Sequence, residues 1–136
     1  MTTTMGETGN PLWRISMNDT FEHQVQAAIA AHGMWKARLK QAIADGHSDF
    51  KVEVVTHDNQ CDFGRWLYSP ACRRDAHYEV VRGHHAAFHK AAAHVLGLAV
   101  LGHKAEAEAA MGLGSDYAHA SASLIGELMR WRKEAA

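Results

Sequence analysis

From Phe21 to Ala42 one set of side chains returns at alternating intervals of four and three residues: Phe21, Val25, Ala28, His32, Trp35, Leu39 and Ala42. That period places all of them on one stripe of an α-helix and commits the segment to burying that stripe against a partner. Asn18, Asp19 and Thr20 offer capping side chains ahead of it, and Gly46 suits the position just beyond its end, so the spacing predicts a helix over about 19–45. One member of the stripe is polar. A histidine in such a seam, taken alone, is more often a core side chain hydrogen-bonded to a neighbour than a metal ligand, and His32 is open to both readings.

The same period recurs downstream. Tyr78, Val81, His85, Phe88, Ala92, Val95 and Ala99 mark the inward face of a helix predicted over about 73–101 and ended by Gly102. His85 and His89 stand four positions apart in it, so their imidazoles leave the helix one turn apart and can reach one ion. His84 points about 100° away around the helix. A last helix is expected over about 103–133, carrying Ala109, Met111, Leu113, Ala118, Ala122, Ile125, Leu128 and Met129, with Trp131 near its end. The Gly112-Leu113-Gly114-Ser115 step within it favours a kink or break.

Between the first two long helices, Phe50, Val52, Val54 and Val55 fit either a short extended piece or a helical turn. Cys61-Asp62-Phe63-Gly64-Arg65-Trp66-Leu67-Tyr68 then reads as a short helix over about 61–68, stopped by Ser69-Pro70. Its length requires support from neighbours. Cys61 falls in its first turn, where the helix dipole favours a thiolate. Residues 1–17 are polar, aperiodic and interrupted by Gly6, Gly9 and Pro11, and are expected to be a flexible lead-in, with Trp13 its one aromatic. The expected fold is an all-α four-helix bundle of three long helices and one short one, forming a single domain over 18–136.

The balance of 14 basic and 15 acidic residues, with no basic run longer than Arg73-Arg74, speaks against nucleic acid or an anionic membrane as partner. The start of the chain lacks the pattern of a signal peptide and no run is long enough to span a bilayer, so a cytoplasmic location is expected. There, two cysteines serve as thiols or ligands rather than as a disulfide, and Cys72 is expected to be free. Histidine is the outlier, at 11 residues. His32, Cys61, His85 and His89 together offer three nitrogens and one sulfur from three helices, a tetrahedral set that suits Zn2+. His23, His47, His57, His77, His84, His94, His103 and His119 have no such partnership and are expected to be solvated.

The order His32-Gly33-Met34-Trp35, Cys61-Asp62-Phe63-Gly64-Arg65-Trp66 and His85-Ala86-Ala87-Phe88-His89 resembles the chemoreceptor zinc-binding (CZB) domain family. That family's pattern is His-x-x-aromatic, Cys-x-hydrophobic-Gly-x-hydrophobic and His-x-x-x-His, with comparable gaps. The resemblance implies a helical regulatory zinc domain, with His32, Cys61, His85 and His89 as ligands. Relatives usually carry it beside a chemoreceptor signalling region or a diguanylate cyclase. This chain shows neither, so it is expected to act as a freestanding domain, by contact with a signalling protein or as a homodimer.

One thiolate and three neutral imidazoles leave a zinc site with about one positive charge, which calls for an acid behind the ligands. Asp58 and Asp62 are the candidates, and Trp35, Gly64 and Trp66 are expected to support the site. Two inputs fit: zinc occupancy itself, or oxidation of the Cys61 thiolate by a hypochlorous-acid-type oxidant, as the resemblance implies. Catalysis is not expected, because four protein ligands leave no open position for a zinc hydrolase. A hemerythrin-like iron or oxygen carrier, which needs carboxylates, and a structural interaction bundle with incidental histidines are the alternatives.

Overall fold

A computed structural model describes residues 17–59 and 61–135; the expected lead-in, Trp13 included, lies outside them except for Met17. Seven helices follow in order: α1 Met17–Asp45, α2 Val52–Thr56, α3 Asp62–Leu67, α4 Pro70–Arg73, α5 Tyr78–Val100, α6 Lys104–Met111 and α7 Asp116–Ala135. No strand occurs among the described residues, and the long helices pack on one another as an all-α bundle. None of the described helices is long and apolar enough to cross a membrane.

In α1 the stripe behaves as its period requires: Val25, Ala28, His32, Leu39 and Ala42 are buried, with Phe21 and Trp35 partly so. The helix closes where Gly46, at φ 67°, turns its N–H back onto the Ala42 carbonyl at 2.8 Å. The α5 face is buried along its whole length, from Tyr78 to Ala99, and α5 is the central helix, flanked by α1, α2, α6 and α7.

Three expectations need correction. The helix expected from 73 begins at Tyr78, because the Asp75 carboxylate accepts the His77 N–H at 2.8 Å and offers the backbone a local turn in place of a helix. Only the single turn Pro70–Arg73 forms ahead of it. The break favoured at Gly112–Ser115 occurs and divides 103–133 into two helices, and Ser115 Oγ starts the second by accepting the Ala118 N–H at 3.1 Å. That restart resets the phase. The buried face of α7 is Tyr117, Ala120, Leu124, Leu128 and Trp131, while Ala109, Leu113, Ala122 and Met129 are exposed. The four-helix count thus becomes three long helices with four shorter ones, and Val52–Thr56 resolves as a helical turn rather than an extended piece.

Candidate metal centre

The four ligand candidates reach the centre from three local devices. His32 comes from the α1 stripe, His85 and His89 from consecutive turns of α5, and Cys61 from the N-cap position of α3. Their donor atoms all lie within 4.8 Å of one another. His32, His85 and His89 are 3%, 0% and 4% exposed, so water cannot supply their hydrogen bonds. Protein groups do so for two of them. His32 Nδ1 lies 2.7 Å from the Ala28 carbonyl, one turn back in α1, and His89 Nδ1 lies 2.9 Å from the Val55 carbonyl on α2.

A carbonyl only accepts, so both Nδ1 atoms carry the proton and both Nε2 atoms present a bare lone pair. Those lone pairs point at the same place. His85 Nε2 is 3.1 Å from His32 Nε2 and 3.1 Å from His89 Nε2. Cys61 Sγ is 3.4 Å from His85 Nε2 and 3.7 Å from His89 Nε2. Tetrahedral zinc, with bonds of about 2.0–2.1 Å to nitrogen and 2.3 Å to sulfur, sets donors about 3.3 Å (N to N) and about 3.6 Å (S to N) apart. The donor set fits that ion, and it contains no carboxylate of the kind a hemerythrin-like iron site needs.

Burial keeps the rings neutral. It lowers the His32 pKa to about 4 against the opposing Ala28 hydrogen bond. It lowers that of His85 to about 2, with help from the neighbouring imidazoles, and holds His89 below its ordinary value despite the Val55 bond. The Cys61 expectation reverses in sign: burial pushes the thiol up, more than the N–H groups at the start of α3 pull it down, and the Asp58 charge adds to the rise. A helix of six residues has too weak a dipole to win, so a thiolate here needs a cation beside it.

Of the two acid candidates, Asp58 is the one that lies behind the cluster. Its Oδ2 stands 4.0 Å from His85 Nδ1, the one ring nitrogen of the cluster without a partner, and accepts the Tyr68 hydroxyl. Asp62, the other candidate, is 96% exposed and pairs with Arg65 at 2.8 Å, because the first turn of α3 faces it outward. Gly64 supports the site directly: its N–H donates to Cys61 Sγ at 3.2 Å, and a Cβ there would lie 1.9 Å from the Asp58 carbonyl oxygen. Trp66 does not face the ligands; it packs among Phe21, Phe63 and Trp131. Trp35 packs on Phe50 with the rings tilted by 56° and lines a groove of about 390 Å³ that reaches Cys61, His32 and His89, with Arg38 on its wall over both aromatic rings.

Sequence reasoning missed several neighbours. Phe63 and Phe88 set their rings edge-on to the imidazoles, at 5.1 Å from His85 and 5.1 Å from His32, and keep the pocket apolar. Phe63 occupies the hydrophobic slot of the Cys61 motif and Phe88 a position on the inward stripe of α5, which was the available signal. Tyr68 and the Val55 carbonyl had none, since each depends on how a loop folds back. His77, expected to be solvated, instead lies between Glu127 (3.3 Å) and Glu134 (2.9 Å) and stacks on Trp131.

Residues 32–96 match the family model described as chemoreceptor zinc-binding domain. No curated protein and no solved structure matches the chain. The match begins at His32, ends at Leu96 and takes in all four converging side chains, so this part of the chain is similar to the chemoreceptor zinc-binding domain family.

Proposed function

We propose that the chain is a zinc-dependent regulatory domain, extending over 18–136, in which His32, Cys61, His85 and His89 hold one Zn2+ and the state of that site is passed on by protein contact. The observation that carries this reading is the convergence of imidazole nitrogens whose opposite faces are tied to carbonyls. Unprotonated nitrogens 3.1 Å apart repel unless a cation lies between them. A bound zinc ion supplies that charge and holds the Cys61 sulfur as thiolate.

The chain's own residues turn occupancy into shape. With its ligands engaged, α3 is tied through Cys61 to α1 and α5. Without that tie, a six-residue helix rests on the packing of Phe63, Trp66 and Leu67, and a helix this short is marginal without such support. The same sulfur is the site where an oxidant acts. The Cys61 thiolate attacks the chlorine of hypochlorous acid, the S–Cl bond forms as Cl–O breaks, and hydroxide leaves. Water then displaces chloride to give a sulfenic acid, a poor ligand. The Trp35 and Phe50 groove supplies the approach.

Elemental analysis of the untagged protein tests the assignment, with one zinc per chain expected and weaker retention in His32→Ala, Cys61→Ala, His85→Ala and His89→Ala. A protein holding iron, or holding zinc equally in all four variants, refutes it. Cys61→Ala is further expected to abolish any response to hypochlorous acid; a response that persists removes the thiolate from the switch.

A further inference from the structure

Around α1 from His32, on an adjacent face of the helix, lies a groove of about 920 Å³. Gly33, Lys36, Lys40 and Ile43 line it from α1, and Ala118, Ser121, Ala122 and Ile125 line it from α7. The spacings of three and four along both helices show that each turns a continuous face to it. α7 ends beside the start of α1, where Arg132 meets Glu22 at 3.7 Å, so the two run antiparallel. The eight-residue α6 closes one end with Met111 and stops, leaving the trough between the longer helices open where a bundle would seat one more helix.

We propose that this groove is the domain's output surface and that its occupant is an amphipathic helix of another protein, with an apolar stripe flanked by carboxylates. Small side chains let a helix approach closely: a Cβ added at Gly33 meets nothing within 4 Å. From Gly33 to Ile43 the wall runs about 15 Å, nearly three helical turns. The rim carries Lys36, Lys40 and Lys104 against the single acid Glu108, and none of these four has an ion-pair partner among the described residues. Leu113 stands at the edge, 104% exposed. Tyr117, which lies between this groove and a smaller one near His119, is buried and its hydroxyl has no partner.

A second copy of this chain is the poorer fit, because a twofold contact through the groove sets the lysines against themselves. The wall also explains the link to the site. His32 enters the cluster from one face of α1 and Gly33, the next residue, lines the groove from another, so a force that draws His32 inward turns the groove wall with it. That coupling rests on the zinc reading; the occupant does not.

The test uses fluorescein-labelled helical peptides of about three turns, identical in their leucine and alanine stripe and flanked by Glu in one and Lys in the other. Fluorescence anisotropy is read on the zinc-loaded and chelator-stripped chain. The Glu peptide is expected to bind one per chain, about tenfold tighter than the Lys peptide. Lys36→Glu with Lys40→Glu is expected to reverse that order, and Ala122→Trp, at an exposed helix position, to abolish binding with zinc content unchanged. Zinc removal is expected to change the affinity at least threefold. Equal binding of the two peptides overturns the proposal, as does full binding by Ala122→Trp. So does saturable uptake of laurate without uptake of either peptide, or a dimer that Ala122→Trp dissolves. A chain that holds zinc but binds the peptide equally with and without it overturns the coupling. A chain that holds no zinc yet takes the Glu peptide supports the groove and sinks the zinc reading alone.

Discussion

Asp58 Oδ2 stands 4.0 Å from His85 Nδ1, on the side of the imidazole facing away from the cluster. A carboxylate there favours the proton on Nδ1 and leaves Nε2 free to face the nitrogens of His32 and His89. The charge thus favours the tautomer a cation would need and would offset the positive charge of a cation bound there.

Asp58→Asn removes the charge with little change of shape. Zinc affinity is expected to fall about 10–100-fold, with helix content unchanged. Competition against a chromophoric chelator measures it, and an affinity equal to wild type would show that the carboxylate has no part in binding. Tyr68→Phe, which frees Asp58 from its hydroxyl partner, is expected to lower affinity by a smaller factor.

Gly64→Ala is expected to damage fold and site together. Its Cβ would sit 1.9 Å from the Asp58 carbonyl oxygen and 3.0 Å from Asn59 Cα, and both are backbone, so the loop carrying Asp58 must move. A cost of about 2–4 kcal/mol is expected, with weaker zinc binding. Gly97→Ala, mid-helix in α5 with nothing within 4 Å, is the control and is expected to stabilise by about 0.5–1 kcal/mol. Urea midpoints separate the two; equal effects would mean that Gly64 is an ordinary helical glycine.

These substitutions mark how far the sequence carries. The stripes of α1 and α5 were legible because each runs unbroken for many turns, and a histidine at a seam position needs only the period to be placed inward. The inward face of α7 was not legible, since Gly112–Ser115 restarts the helix and no period crosses the break. Asp58 and Asp62 flank Cys61 alike in sequence, and only the N-cap geometry of Cys61 turns one inward and the other to Arg65. Gly64 was legible as a close approach, but the Asp58 carbonyl that approaches it was not.

Acid is expected to destabilise the metal-free chain. The folded pKa values of His32 and His85 are lowered to about 4 and about 2, and that of His89 is lowered too, chiefly by burial. The unfolded chain therefore binds more protons below about pH 6.5, and stability falls by about 1.4 kcal/mol per pH unit for each such group still unprotonated in the fold. The stability held above pH 6.5 is lost downward, through about 4 for His32. Urea midpoints of chelator-treated protein are expected to be lower at pH 5.5 than at pH 7.5. A midpoint that does not move would mean the three rings are not buried neutral.

His77 is expected to act with the opposite sign. Burial alone would lower its pKa, but the Glu127 and Glu134 carboxylates outweigh that and hold it above the ordinary value. The folded chain then keeps a proton that the unfolded chain releases, so this contribution is full below about pH 6.5 and disappears as pH rises through the raised value. The bridge joins the turn before α5 to both ends of the last turns of α7, over the face of Trp131 at 6.0 Å. His77→Gln is expected to cost about 1 kcal/mol near pH 6. Near pH 9 the cost should be much smaller, because there the wild type also lacks the charge. Urea midpoints of the two proteins at both pH values test this. A gap that stays constant with pH would assign the loss to packing on Trp131, and a gap that shrinks assigns it to the imidazolium held between two acids.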